Sequence, residues 1–141
     1  PARVGGTGDS RAAFAVYGGD GDITAIEMSG LAAVPFGAYG SLQLLNTSIP
    51  EITIPAIAGQ EELYIIGSTE SIILPSTHAL IHIVITCRLT VGSVNAILAN
   101  LRANEFSGEC DLSGGTNAAP TVQGIADVSW LIGNGATIYT N

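Results

Sequence analysis

Residues 79–91, ALIHIVITCRLTV, carry the clearest pattern in the chain. Ile81, Ile83, Ile85, Cys87, Leu89 and Val91 recur at every second position, with Leu80, His82, Val84, Thr86, Arg88 and Thr90 between them. Successive side chains of a strand point to opposite faces, so this period predicts a long strand with an apolar inner face and a mixed outer face, central to its sheet.

Downstream of that stretch, Ser93 reads as an N-cap. Val94, Ile97, Leu98 and Leu101 follow at i, i+3, i+4 and i+7 and predict one short helix near 94–105. Residues 107–119 are a Gly/Ser/Asn loop. Residues 121–132 alternate again, with Val122, Ala126, Val128, Trp130 and Ile132 on one side, and read as a second long strand. Asn134-Gly135 is a hairpin signal that returns residues 136–140 as the last strand.

Upstream, residues 12–17, 23–28, 41–45, 63–66 and 71–74 are short strand-like runs, and Gly18 to Asp22 form a turn. In residues 49–57, Ile52 and Ile54 share a face. Pro50 and Pro55 cannot donate ladder hydrogen bonds, which makes the segment an edge strand or an extended connector. About eight strands between Gly/Pro turns, with one helix, imply an all-β fold, an antiparallel β-sandwich with a jelly roll as the favoured sub-type. Residues 1–10 read as a flexible N-terminal arm and residues 11–141 as a single domain. No repeat period of 20–50 residues stands out, which argues against a solenoid.

The charge inventory is unusual. The four basic residues are Arg3, Arg11, Arg88 and Arg102; there is no lysine, and charged residues make up 11% of the chain, for a net charge of −8. Soluble domains commonly cover about a quarter to a third of their surface with charge. A surface built instead from Thr, Ser, Asn, Gly and apolar groups suits a chain packed against neighbours. Four scattered arginines form no basic patch, which excludes nucleic acid and anionic lipid as partners. A hydrophobic fraction of 47% excludes a disordered chain. No apolar run reaches the roughly eighteen residues of a membrane span. Pro1-Ala2 fits removal of an initiator Met, an expectation of synthesis without an export signal.

Candidate chemistry is sparse. Cys87 and Cys110 are either one disulfide or two buried thiols. His78 and His82 lie about 13 Å apart on a strand, too far to share a metal. Asp20 and Asp22, with Glu27 behind them, are a weak calcium candidate set against a plain Gly/Asp turn. A phosphate loop needs the absent lysine, and no G-x-S-x-G elbow occurs. Cys87 and His82 fall on opposite faces, which argues against a nucleophile pair. The Asn46-Thr47-Ser48 sequon carries little weight without an export signal. Trp130, Tyr17, Tyr39, Tyr64 and Tyr139 are the candidates for a sugar-stacking platform.

These readings converge on a structural assembly subunit: a virion component such as a capsid, spike or phage decoration protein, without catalysis or cofactor. Its partners would be copies of itself and other structural proteins of the same particle. Ile52, Ile54 and Trp130 are the candidate assembly contacts. The alternatives are a lectin-like module with a glycan receptor and a secreted filament subunit, the location being the virion or, alternatively, extracellular.

Overall fold

In a computed structural model, residues 3–5, 13–17, 40–57 and 59–141 are described, the first two segments as backbone only. The elements, in chain order, are β1 (Arg3–Gly5), β2 (Ala13–Tyr17), β3 (Gly40–Thr47), β4 (Glu51–Thr53), β5 (Gln60–Gly67), β6 (Ser71–Ile73), β7 (His82–Thr86), α1 (Val91–Ala103), β8 (Glu109–Asp111), α2 (Val122–Gly133) and β9 (Thr137–Tyr139). Seven strands form one sheet in the order β1-β2-β3-β5-β7-β8-β9. β1 pairs antiparallel with β2; every other neighbour pair is parallel.

The chain therefore advances as stacked coils. Leu42, Leu63, Ile83, Cys110 and Ile138 are register partners in successive strands, at separations of 21, 20, 27 and 28 residues. Leu44, Ile65 and Ile85 form a second inward column. Between sheet strands from β3 onward the chain crosses to a second layer, built in order from β4, β6, α1 and α2. β4 and β6 pair parallel, with Ile52 opposite Ile72. Helix α1 then packs on β6, and the amide of Ile72 donates to Ser93 Oγ at 3.0 Å. The core lies between the layers, where the sheet's aliphatic columns meet Ile52, Ile54, Ile72, Val94, Ile97, Leu98, Leu101 and Leu131.

The coils touch closely at the corners that follow β3, β5, β7 and β8. Ser68 donates its amide to the Thr47 carbonyl at 2.8 Å, and Thr116 donates to Cys87 in the same way. A Cβ on Gly67 would lie 2.0 Å from the Thr47 oxygen, so only glycine lets these two corners stack.

Several sequence expectations are overturned. The fold is not an antiparallel β-sandwich or jelly roll but a mostly parallel sheet layered against short strands and helices. Alternation reports which residues face the core; it carries no information on which strand lies alongside or in which direction. From β2 to β8 each sheet strand is followed by a connection of a dozen residues or more before the next, the length a parallel crossover requires. The coils also supply the period of 20–28 residues that the sequence did not display, because what repeats is a pair of inward aliphatic positions and not a motif.

Residues 121–132 are helix α2, not a strand. Its buried face is Gly124, Asp127 and Leu131, at i, i+3 and i+7. A glycine and an aspartate on that face hide the helical period from any reading by hydrophobicity. Asn134-Gly135 is accordingly not a hairpin but the C-terminal turn of α2, with Gly135 at φ 94°. The helix expected near 94–105 is α1, capped by Thr90, whose Oγ1 accepts from the Ser93 amide at 3.2 Å. The strand expected over 79–91 is shorter: Ile83, Ile85, Cys87 and Leu89 do face inward, while Ile81 is exposed. Within the segment read as an N-terminal arm, Arg3–Gly5 is strand β1.

Candidate functional site

The residues singled out from the sequence scatter. Ile52 and Ile54 are buried in the core on the inward side of the second layer, so neither is a surface contact. Cys87 and Cys110 are free and buried, and no disulfide joins them. Both occupy the sheet's interior face, where burial pushes the Cys87 thiol up to about 11 and the Cys110 thiol higher still. His82 faces the opposite side of β7 from Cys87. Asp20, Asp22 and Tyr39 lie outside the described residues, and Tyr17 is described as backbone only.

The outer face of the sheet carries one polar ladder. Glu62, His82, Glu109 and Thr137 are register partners, as are Tyr64, Val84, Asp111 and Tyr139. The Tyr64 hydroxyl lies 3.1 Å from His82 Nδ1, with the two rings edge to face. His82 Nε2 lies 3.8 Å from Glu109 Oε1. Among the described residues no group of three or more His, Cys, Asp or Glu side chains is placed to hold a metal ion. His78 sits away from this ladder. Its Nε2 donates to Asn100 Oδ1 at 2.9 Å and its Nδ1 accepts from the Leu80 amide at 3.3 Å. Burial outweighs the Asn100 hydrogen bond and lowers its pKa.

The last coil, from β8 to β9, differs in kind from the rest. From Leu112 to Asn141 it holds one charged residue, Asp127, and that residue is 2% exposed. Helix α2 is apolar on its outside. Val122, Ile125 and Ile132 are 85%, 56% and 54% exposed. With Ser129 they follow the spacing i, i+3, i+7 and i+10 and so make one stripe. Beside it runs β9. Thr137 donates to the Gly108 carbonyl at 2.9 Å and Leu112 donates to the Tyr139 carbonyl at 2.8 Å. In a parallel ladder this turns the Ile138 amide and carbonyl to the other edge, where no strand pairs among the described residues. This edge carries no charge or proline, and what limits it is the three-residue length of β9.

On its flank toward α1, α2 forms a groove of about 420 Å³, lined by Ala99, Arg102, Glu105, Gln123, Asp127 and Trp130. Arg102 Nη1 donates to Asp127 Oδ1 at 2.8 Å, and Gln123 Nε2 donates to the same oxygen at 3.3 Å. The other carboxylate oxygen of Asp127 is buried without a partner. The Arg102 guanidinium lies over the Trp130 ring, 5.5 Å from its centroid. Trp130, expected in the core or at a subunit contact, is 37% exposed in this groove.

The α2 stripe and Arg102 are the features the sequence reading missed. The stripe's spacing is present at Val122, Ile125, Ser129 and Ile132, but Val122 and Ile132 also fit a period of two with Ala126, Val128 and Trp130. Nothing local marks Arg102, whose partners lie on another helix. No protein-family model matches the chain, and neither a curated protein nor a solved structure is similar to it.

Proposed function

We propose that this protein is a structural assembly subunit, a virion component that works by binding neighbouring structural proteins through its last coil. One observation carries the reading: an exposed apolar stripe on α2 lies beside the open edge of β9, in a segment (residues 112–141) whose one charged side chain, Asp127, is buried. Contiguous exposed apolar surface marks interaction sites, and interface centres are depleted of charge. The charges nearest this end are the buried Asp127 and, on β8, Glu109 and Asp111. An added strand would satisfy the free edge through main-chain hydrogen bonds.

Sedimentation of the wild-type chain and an Ile125→Lys variant, with cross-linking in the particle of origin, tests this. The expected result is self-association or cross-linking to another structural protein, abolished by the lysine without loss of folding. A chain that stays monomeric at millimolar concentration and cross-links to nothing in its particle overturns the reading.

A further inference from the structure

We infer that the occupant of the α2 stripe is a second copy of this chain, docked helix against helix across a two-fold axis; this rests on the assembly reading and names its partner. Helix α2 has two faces that avoid water. One, with Gly124, Asp127 and Leu131, is buried against the rest of the chain. The other carries Val122, Ile125, Ala126, Ser129, Ile132 and Gly133, all exposed. At 3.6 residues per turn these positions span about 120° of the helix surface. A helix that is apolar all round is a buried one, and among the described residues nothing covers the second face.

Size, polarity and charge each favour a second copy as the cover. In an antiparallel pair about a two-fold axis, the stripe Val122, Ile125, Ser129, Ile132 meets its own reverse. Val122 then faces the partner's Ile132, and Ile125 faces the partner's Ser129. At the centre each large side chain meets a small one, the alternation by which packed layers interdigitate, and the axis repeats the contact on both sides. Ser129 is the one polar side chain of this face, and its Oγ donates to the Ile125 carbonyl of its own helix at 2.9 Å. It therefore enters an apolar seam with its hydrogen bond already made.

Charge decides where two copies can meet. The chain carries a net charge of −8, so acidic surfaces of two copies repel. No residue of the exposed α2 face is charged. Arg102 and Glu105 lie on the flank of α2 toward α1. Glu109 and Asp111 alternate with the buried Cys110 and so lie on the outer face of the sheet, the side away from the helices. The seam is short: 12 residues of helix are about 18 Å long. That extent is below what an obligate dimer buries, so the pair is a reversible one that forms at micromolar concentration or above.

Sedimentation equilibrium of the whole chain tests this with two variants, Ile125→Lys and Ser129→Glu. Alone, each sets charge into the seam without a counter-charge and should weaken the dimer about thirtyfold or more, the effect of a central interface residue. An equimolar mixture of the two should dimerise again, because the axis places position 125 of one copy against position 129 of the other and brings opposite charges together. Both positions are exposed, and unchanged urea midpoints verify that the variants fold. A wild-type dimer that either variant leaves intact, or a mixture that stays monomeric, overturns the inference. A wild-type chain that is monomeric but cross-links through α2 to a different structural protein also overturns it and leaves the assembly reading standing. A monomer that cross-links to nothing overturns both.

Discussion

Asn141 donates through Nδ2 to the backbone carbonyl of Asn117 at 2.7 Å, so two asparagines one coil apart are tied to each other. Asn117 is itself buried and bridges backward. Its Nδ2 donates to the carbonyls of Ile85 at 2.7 Å and Leu112 at 3.1 Å, and its Oδ1 accepts from the Leu89 amide at 3.0 Å. One amide thus satisfies three backbone groups that the corner leaves without ladder partners. Asn117→Ala should cost about 2–4 kcal/mol, because it orphans buried donors and acceptors. Asn141→Ala removes a single, partly buried bond and should cost about 1 kcal/mol or less. Urea unfolding of both variants checks the ranking, and equal losses would contradict the bridging role.

His78 predicts a pH dependence. Its folded pKa is lowered by burial, and its Nδ1 acts as an acceptor only when unprotonated. In the unfolded chain it titrates near 6.5. The unfolded state therefore binds more protons below that pH, so stability is full above about 6.5 and falls as the solution is acidified through the histidine range. Denaturant midpoints at pH 8 and pH 5.5 should show the drop. His78→Gln should reduce it while lowering stability at pH 8.

The two thiols should be chemically silent in the native state. Cys87 and Cys110 are free, buried and shifted toward the neutral thiol, and the thiolate is the reactive form. Ellman's reagent should label neither until the chain is unfolded, and then both. A reductant should leave the melting temperature unchanged. Rapid native labelling would place at least one thiol outside the core.

Breaking the Arg102–Asp127 pair from either side should have unequal effects. Arg102→Ala strands a buried carboxylate and should cost about 2–3 kcal/mol, below the usual 3–5 kcal/mol because the arginine is half exposed. Asp127→Asn leaves Arg102 able to reach solvent and should cost less. Thermal melts rank the two, and a larger loss for Asp127→Asn would mean that the buried carboxylate does more than hold Arg102.

Gly124 tests how closely the helices approach. A Cβ there would lie 2.3 Å from Asn95 Oδ1 and 2.7 Å from Pro120 Cβ. Asn95 in turn holds the start of α2, accepting from the Thr121 amide at 3.2 Å and donating to its hydroxyl at 2.7 Å. Gly124→Ala should destabilise by about 1–3 kcal/mol despite alanine's better helix propensity. A neutral or stabilising result on calorimetry would show that the two helices can separate at no cost.

The parts legible in the sequence are those in which burial and hydrophobicity agree. The inward positions Ile83, Ile85, Cys87 and Leu89, and Val94, Ile97, Leu98 and Leu101 in α1, were all readable, because each buried position is apolar and each period is intact. Helix α2 reverses that agreement. Gly124 and Asp127 point inward because Asn95 and Arg102 on α1 meet them there, and Val122, Ile125 and Ile132 are left outside. The candidate surfaces lie on this helix, where a pattern read from one segment fails because the segment's burial is decided by another.

By itself the sequence determined which residues of β7 and α1 turn inward and how little charge the surface has to display. Strand partners and direction, the stacking of coils, the helical state of residues 122–133 and the meeting of Arg102 with Trp130 were decided by the tertiary structure. Periodicity records only a residue's side, whereas pairing and packing depend on which distant segment supplies the matching hydrogen bonds and the matching shape.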